Sequence, residues 1–337
     1  MIKEAIASLV SGRSLTAEEA SQVMAEIMRG EATPAQFGAF VTALRLKGET
    51  VEEITGLAKT MRAHAIPVHV STPVVDTCGT GGDASHTFNI STTAAFVAAG
   101  AGLRVAKHGN RAMSSRCGSA DVLEALGVKI DLDAGKVERC LEEVGIGFMF
   151  APIFHPAMKY AAAPRREIGI RTVFNILGPL TNPAGVGAQV LGVAEKSLVE
   201  KLASVLEGLG TRHALVVHGE DGLDEITIAE KTFVCELKNG MLRSYTISPE
   251  EVGLPRGNAH DLRGGTAAEN AELLRSVLRG TPGPRLDAVL MNASAVLLAG
   301  DRVKTLKEGI ALARETIGKG LALAKLEHLI EFTQSLK

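Results

Sequence analysis

Cysteine is scarce in this 337-residue chain: Cys78, Cys117, Cys140 and Cys235 are its four, and none stands at a CxxC or other metal-ligating interval. A thiolate-built metal site is therefore excluded, and reduced thiols are expected. Neither sign of charge is in excess, with 36 Lys and Arg against 38 Asp and Glu and a net charge of -2. Nothing in that balance draws the whole molecule to nucleic acid or to a membrane surface. No apolar run reaches membrane-spanning length; Thr92–Gly102 is rich in small residues and short. The opening Met-Ile-Lys-Glu lacks a basic region followed by an apolar segment, so no signal peptide is expected and the expected compartment is the cytoplasm. Familiar catalytic motifs are missing too. No Gly-Lys-Ser/Thr follows Gly79-Thr-Gly-Gly82 at Walker A spacing, the glycine interval is wrong for GxGxxG, and no Ser-His-Asp or Cys-His constellation appears.

What is present concentrates between Asp76 and Ser119. The stretch reads Asp-Thr-Cys-Gly-Thr-Gly-Gly-Asp83, then Asn89-Ile-Ser-Thr92, then Lys107-His-Gly-Asn-Arg111, and closes on Ser114, Ser115, Gly118 and Ser119. Gly79, Gly81 and Gly82 permit positive φ and remove Cβ atoms, so backbone N–H groups can converge on an anion. Asn89, Ser91 and Thr92 stand before an Ala-rich helical run, whose N-terminus attracts phosphate oxygens. Lys107 and Arg111 add full positive charge. The combination reads as a cradle for a multiply phosphorylated ligand.

Around this cradle the chain divides. Residues 1–65 form a predicted helical bundle punctuated by three capping boxes, Thr16 with Glu19, Thr33 with Gln36 and Thr50 with Glu53. Gly12, Gly30 and Gly48 precede these caps, where helices should stop. Phe37, Val41, Leu44 and Leu46 offer enough apolar surface for either a dimer contact or packing on a second domain. After the extended Pro67–Pro73 connection, strands and helices alternate: strands at Val74–Val75, Leu103–Ala106 and Ile146–Phe150, helices at Thr92–Ala101, from Ser119 to Leu126 and from Asp133 to Val144. That alternation predicts a largely parallel sheet with helices on its faces and ligands at the C-terminal strand ends. Residues 151–184 carry five prolines with His155, Arg165, Arg166 and Asn175, and read as a loop-rich, partly helical lid or pocket wall. Strands at Gln189–Val193 and His213–His218 flank a helix over Lys196–Leu209. A hairpin, Thr232–Leu237 and Met241–Ile247, turns at Asn239-Gly240. Helices then run over Thr266–Leu278, Leu286–Leu298, Leu306–Ile317 and Leu321–Leu336. The one containing Asn292-Ala-Ser-Ala should pack closely.

Each polar cluster has a plainer reading. A glycine loop is commonly just a tight turn, Asn89, Ser91 or Thr92 also suits an N-cap, and the Lys107–Arg111 run also suits an exposed basic turn. Asp224-Glu225 suits a hard cation such as Mg²⁺, which takes one or two carboxylates plus substrate phosphates, but equally a solvated acidic loop, to which Glu220 and Asp221 are assigned. His108 is compatible with proton transfer or with a structural hydrogen bond. One of Arg165 and Arg166 suits bidentate carboxylate recognition. Cys78 and Cys117 read as packing residues.

Taken in order, Gly79–Asp83, Asn89–Thr92, Lys107–Arg111, Ala151–Gly169, Asn175-Ile-Leu-Gly-Pro-Leu-Thr-Asn-Pro183 and Leu223-Asp-Glu225 resemble the anthranilate phosphoribosyltransferases over essentially the whole chain. Two departures stand out: Ala84 where that family usually has Gly, and Ile168 where it usually has Leu. The resemblance implies an α/β fold, with a small helical domain beside a larger domain whose mostly parallel sheet is flanked by helices. Residues 1–66, joined by a helical portion near 152–179, would form the first, and residues 74–337 the phosphoribosyl-diphosphate-binding domain. Homodimers would form through the helical domain. The implied reaction moves the 5-phosphoribosyl group of 5-phospho-α-D-ribose 1-diphosphate onto the amine of anthranilate, with release of pyrophosphate, in tryptophan biosynthesis.

The same resemblance implies that Gly79, Gly82, Asp83, Thr87, Asn89, Ile90, Ser91, Thr92, Lys107, His108, Gly109, Asn110, Arg111, Ala112, Met113, Ser114, Ser115 and Ser119 contact the diphosphate sugar. Asn110, Arg165 and Gly79 would meet anthranilate, with His108 and Pro179 in the pocket wall. Ser91, Asp224 and Glu225 would hold Mg²⁺, and Lys107, Asn110 and Arg165 would be catalytic. This is chemically coherent: the departing pyrophosphate needs its negative charge stabilised, whereas an aromatic amine, neutral at pH 7, needs no strong base. Two other readings use the same residues. A pyrimidine nucleoside phosphorylase would leave Asp224-Glu225 idle, and a non-catalytic nucleic-acid-binding relative would need a local basic groove.

Overall fold

The computed structural model describes residues 1–112 and 116–336. Four helices come first: α1 (Ile2–Val10), α2 (Ala17–Met28), α3 (Pro34–Lys47) and α4 (Val51–Ala63). Helices α2, α3 and α4 each open on the expected capping box, with Thr16, Thr33 and Thr50 accepting from the backbone N–H three residues on. Gly12, Gly30 and Gly48 take positive φ between the helices. Phe37, Val41 and Leu44 are buried in the core, and Leu46 is 84% exposed. Of the apolar surplus noted in α3, only Leu46 faces solvent.

The alternating part follows as β1 (Val75–Gly79), α5 (Ile90–Gly100), β2 (Val105–Gly109), α6 (Ser119–Ala125), α7 (Ala134–Arg139, continued by a π-helical turn at Cys140–Val144) and β3 (Ile146–Phe150). Three short helices then cover the proline-rich stretch: α8 (Ala151–Phe154), α9 (Lys159–Ile168) and α10 (Phe174–Leu180). The chain returns through β4 (Ala188–Gly192), α11 (Val199–Gly208), β5 (His213–Gly219), β6 (Thr232–Lys238) and β7 (Met241–Ile247). It ends in α12 (Ala267–Leu278), α13 (Pro284–Ala299), α14 (Leu306–Gly318) and α15 (Leu321–Ser335). The β6–β7 turn has φ of +50° at Asn239 and +78° at Gly240, as that dipeptide predicts.

The seven strands lie in the order β3-β2-β1-β4-β5-β6-β7, parallel from β3 to β5 and antiparallel beyond. Side chains that alternate along a strand enter different cores. Val190, Leu215, Val217 and Val234 join a core built with α5, α12, α13, α14 and α15. Leu191, Val216 and Cys235, on the opposite face, join α11 and the N-terminal helices in a second core. That second core also takes in Ala161, Val173, Phe174, Ile176, Leu177 and Leu180 from the proline-rich stretch.

The chain builds outward from β1 in one direction through β2 and β3, and in the other through β4 and β5. Strands β1 and β4 therefore flank the switch point, where open α/β sheets form a crevice at the C-terminal strand ends. Gly79 and Gly192 sit side by side at those two ends.

Candidate active site

Asp224 fills the floor of that crevice. A Cβ on Gly192 would lie 1.7 Å from the Asp224 carbonyl oxygen, and one on Gly79 would lie 2.3 Å from its carboxylate. Gly79 is thus needed for close approach rather than for a left-handed backbone; Gly81 and Gly82 are the residues with positive φ. The Gly81 N–H donates to Asp224 Oδ2 at 2.7 Å, tying the glycine loop to the acidic segment. Glu225 turns to α5, where its Oε1 accepts from the Ser91 N–H at 3.1 Å. Ser91, Asp224 and Glu225, the three residues predicted to hold metal, are thereby brought together.

Their electrostatics fit a cation. Burial, then repulsion from Asp83 and Glu225, holds the Asp224 carboxyl well above its usual range. Burial also raises Glu225, to about 7, against the pull of Lys107. Among the described residues no group of three or more His, Cys, Asp or Glu is placed to hold a metal ion by itself. Mg²⁺ takes only one or two carboxylates and completes its shell with substrate phosphates and water, so the Asp224-Glu225 pair matches the donor set it uses.

The other predicted residues divide by what their side chains do. Lys107 and His108 lie inside β2 rather than beyond it, and both are buried. Lys107 Nζ donates to the Thr77 carbonyl at 2.6 Å, and its charge lowers the carboxyls of Asp76 and Glu225 against their burial. Asp76 is held from its other side by Asn182 Nδ2 at 2.8 Å. The start of the helix differs from expectation: α5 begins at Ile90, two residues before Thr92, with Asn89, one of the expected candidates, as its N-cap and Thr92 buried in its first turn. Asn89 is committed to protein partners, donating to the Cys117 carbonyl at 3.2 Å and accepting from Asn270 Nδ2 at 2.9 Å. Thr87 bridges to Arg263. Ser119 is the first residue of α6 rather than its cap; its hydroxyl donates to the Asn110 carbonyl at 3.4 Å.

Arg111 turns away from the cradle, onto Asp121 (3.0 Å) and Glu124 (2.8 Å) and across the Phe150 ring. Its neighbour Ala112 gives its N–H to Asp121 Oδ2 at 2.9 Å. Asn110 Oδ1 accepts from the Arg111 N–H, and Gly109 leaves no room for a Cβ beside Ser119 and Phe148. Met113, Ser114 and Ser115 lie outside the described residues. Ala84 has φ of +56° in the glycine loop, so an alanine where a glycine would relax bears a cost of about 1 kcal/mol.

Across the crevice, Arg165 lies over the Phe174 ring at 5.5 Å, and that ring packs on Phe37. Burial lowers the Arg165 pKa, and among the described residues no carboxylate pairs with it. Arg166 is exposed. The rings of His108 and His155 stand 5.0 Å apart, and among the described residues the buried Nε2 atoms of both have no hydrogen-bond partner. Pro179 closes this wall through its carbonyl, which accepts from Gln189. Sequence reasoning missed Arg171, whose guanidinium covers Gly82, and missed Asp76, Asn182 and Asn270 as supports. The thiols are inert: burial lifts Cys78 well above its usual value and Cys117 to about 11.

Burial lowers His108 to about 3 and His155 to about 4, so both rings are neutral in the folded protein. In the unfolded chain they take up protons near pH 6.5. The stability this pair confers is full above that pH and is lost as pH falls below it. The loss is about 2.7 kcal/mol per pH unit until the folded values are approached. Urea unfolding at pH 7.5 and 5.5 measures it, and His155→Gln should remove about half of the pair's contribution.

Crevice, glycine loop and carboxylate pair define a glycosyltransferase of two parts. Residues 3–65 match the glycosyl transferase family, helical bundle domain, and residues 71–323 match the glycosyl transferase family, a/b domain. The chain is 59% identical over 336 residues to the anthranilate phosphoribosyltransferase of Moorella thermoacetica, covering 99% of both chains. Its fold superposes on the crystal structure of the Thermus thermophilus enzyme of that name with a TM-score of 0.94 at 46% identity, over 98% of this chain and 99% of that one. The Saccharomyces cerevisiae enzyme in complex with PRPP and Mg gives 0.91 at 30% identity, over 99% and 98%. The chain belongs to the anthranilate phosphoribosyltransferases. The comparisons favour neither a nucleoside phosphorylase nor a nucleic-acid-binding relative.

Proposed function

We propose that this protein transfers the 5-phosphoribosyl group of 5-phospho-α-D-ribose 1-diphosphate to the amine of anthranilate, releasing pyrophosphate, as a step of tryptophan biosynthesis. The observation that carries the reading is the meeting of Gly79–Asp83, the α5 N-terminus and Asp224-Glu225 at one pair of strand ends. Related yeast structures hold PRPP and Mg in one case and 4-fluoroanthranilate in another, which supports the same substrates and Mg²⁺ here.

In this reading Asp224, Glu225 and Ser91 hold the metal, and the glycine-loop and α5 N–H groups face the diphosphate. Bound Mg²⁺ supplies positive charge against the diphosphate oxygens as the bond to the ribose carbon breaks. Lys107 opposes the burial that raises Glu225, favouring its ionised form, and adds its field to the same oxygens. Arg165 pairs with the anthranilate carboxylate, with His108, His155 and Pro179 forming the wall, so that the amine points at the ribose carbon. The aromatic amine is neutral at pH 7 by its own basicity; the proton it sheds as the C–N bond forms leaves to solvent with the pyrophosphate, and the neutral histidines need not take it. Asn110 stays at the boundary of the two substrates.

The experiment is the loss of anthranilate fluorescence with pyrophosphate release followed in parallel. Consumption should require the diphosphate sugar and Mg²⁺ and yield one pyrophosphate per anthranilate. Metal-independent cleavage of a pyrimidine nucleoside by inorganic phosphate would instead make the protein a phosphorylase.

The same reading includes the division into a helical domain of residues 1–66 with 152–179 and a larger domain from residue 74, cytoplasmic location, and a homodimer joined through the helical domain. Val10 (74% exposed) and Leu46 (84%), apolar side chains left in water on α1 and α3, support the dimer. Sedimentation should return twice 35.3 kDa; a monomer mass at micromolar concentration contradicts it.

A further inference from the structure

The acidic segment lies in a stretch, residues 220–231, that belongs to no helix or strand, yet its middle is buried. Buried backbone without a ladder must find its hydrogen bonds elsewhere. At Ile226, the residue after Glu225, both go to one side chain. Asn292 Oδ1 accepts from the Ile226 N–H at 3.0 Å, and Asn292 Nδ2 donates to the Ile226 carbonyl at 2.9 Å. The second Nδ2 proton goes to the Ala288 carbonyl at 2.9 Å, within the same helix. Asn292 is fully buried and engages Ile226 as a neighbouring strand would.

We infer that Asn292 is a positioning residue for the metal carboxylates, an inference that rests on the metal reading of Asp224 and Glu225. Its own place is fixed. Helix α13 packs on α5 and on the sheet, and its small residues bring α14 so close that a Cβ on Gly309 would stand 2.8 Å from the Ser294 side chain. Other bonds in the segment act further from the pair: Thr227 Oγ1 to Asp221, the Thr227 N–H to Thr232 Oγ1, and the Gly257 N–H to the Ile228 carbonyl. Among the described residues the Asn292 clamp alone grips the residue next to Glu225 from α13, the helix that also supports α5. It therefore sets the distance between Glu225 and the α5 N-terminus, where the Ser91 N–H meets that carboxylate. Removing the amide frees two buried backbone groups beside the metal ligands, which will turn or hydrate to satisfy them. Supports of this kind are worth about 10-fold to 100-fold in metal affinity.

The test is a Mn²⁺ titration of the full-length protein with the diphosphate sugar present, read as bound Mn²⁺ by electron paramagnetic resonance rather than as turnover. The ligand's own Mn²⁺ binding is subtracted from a protein-free titration. In Asn292→Ala half-saturating Mn²⁺ should rise about 10-fold, while the affinity for anthranilate changes less than about twofold. Asn292→Ser, which leaves a smaller void, covers the case in which the alanine variant does not fold. Ser294→Ala, which removes another buried hydrogen bond from the same helix, measures general damage to α13: it should lower Tm without moving the Mn²⁺ curve. Unchanged half-saturation in folded Asn292 variants overturns the inference and leaves the metal reading standing. A wild-type protein that binds no Mn²⁺ beyond the free ligand's share overturns the metal reading itself.

Discussion

Arg165→Ala raises KM for anthranilate by about 100-fold and leaves KM for the diphosphate sugar within about twofold. A charged hydrogen-bonded pair contributes about 1.5–3 kcal/mol, and a bidentate guanidinium–carboxylate pair lies at the upper end. The effect should be large because nothing replaces the guanidinium. Among the described residues it has no carboxylate partner, makes one long contact to the Phe174 carbonyl at 3.5 Å, and rests on an aromatic face. Arg165→Lys should recover little, since an ammonium cannot pair bidentately. Steady-state kinetics with each substrate varied in turn decide the matter. Equal rises in both Michaelis constants would remove Arg165 from carboxylate recognition.

The second large effect falls on the metal. Asp224→Asn combined with Glu225→Gln keeps the shape of the acidic segment and deletes both charges. Activity at limiting Mg²⁺ should drop about 10³-fold, and excess Mg²⁺ should restore part of it. The same change removes two carboxyls held above their ordinary pKa by burial and by repulsion from Asp83. The metal-free variant should therefore be no less stable than the parent, and its Tm should hold while activity falls. An unaltered Mg²⁺ dependence would show that these carboxylates do not hold the ion.

Features set by neighbours in the chain were legible in advance. The capping boxes of α2, α3 and α4, the Asn239-Gly240 turn and the bounds of β3 depend on residues a few positions apart. Features set at long range were not. Helix α5 begins at Ile90 and not at Thr92 because the acidic segment and the loop before α6 meet it there: Glu225, 134 positions away, accepts from Ser91, and the Asn89 side chain bonds Cys117 and Asn270. Lys107 and His108 read as a loop because charge and imidazole seldom sit mid-strand; pairing with Phe148 and Met149 of β3, and the buried carboxylate of Asp76, hold them inside. Gly79 looked like a turn glycine, whereas it exists to admit Asp224. Arg111 looked like part of the cradle because its partners, Asp121 and Glu124, lie a helix away. Apart from Arg171 over Gly82, the residues that meet at the crevice were named in advance; that Asp76, Asn182 and Asn292 support them was not.

The most direct test is a crystal of the protein soaked with 5-phospho-α-D-ribose 1-diphosphate and Mn²⁺, with the anomalous signal of the metal used to find it. The account predicts a Mn²⁺ peak at coordination distance, about 2.2 Å, from a carboxylate of the Asp224-Glu225 pair and from diphosphate oxygens at the ends of β1 and β4. A diphosphate bound away from those strand ends, or metal with no contact to either carboxylate, would contradict it.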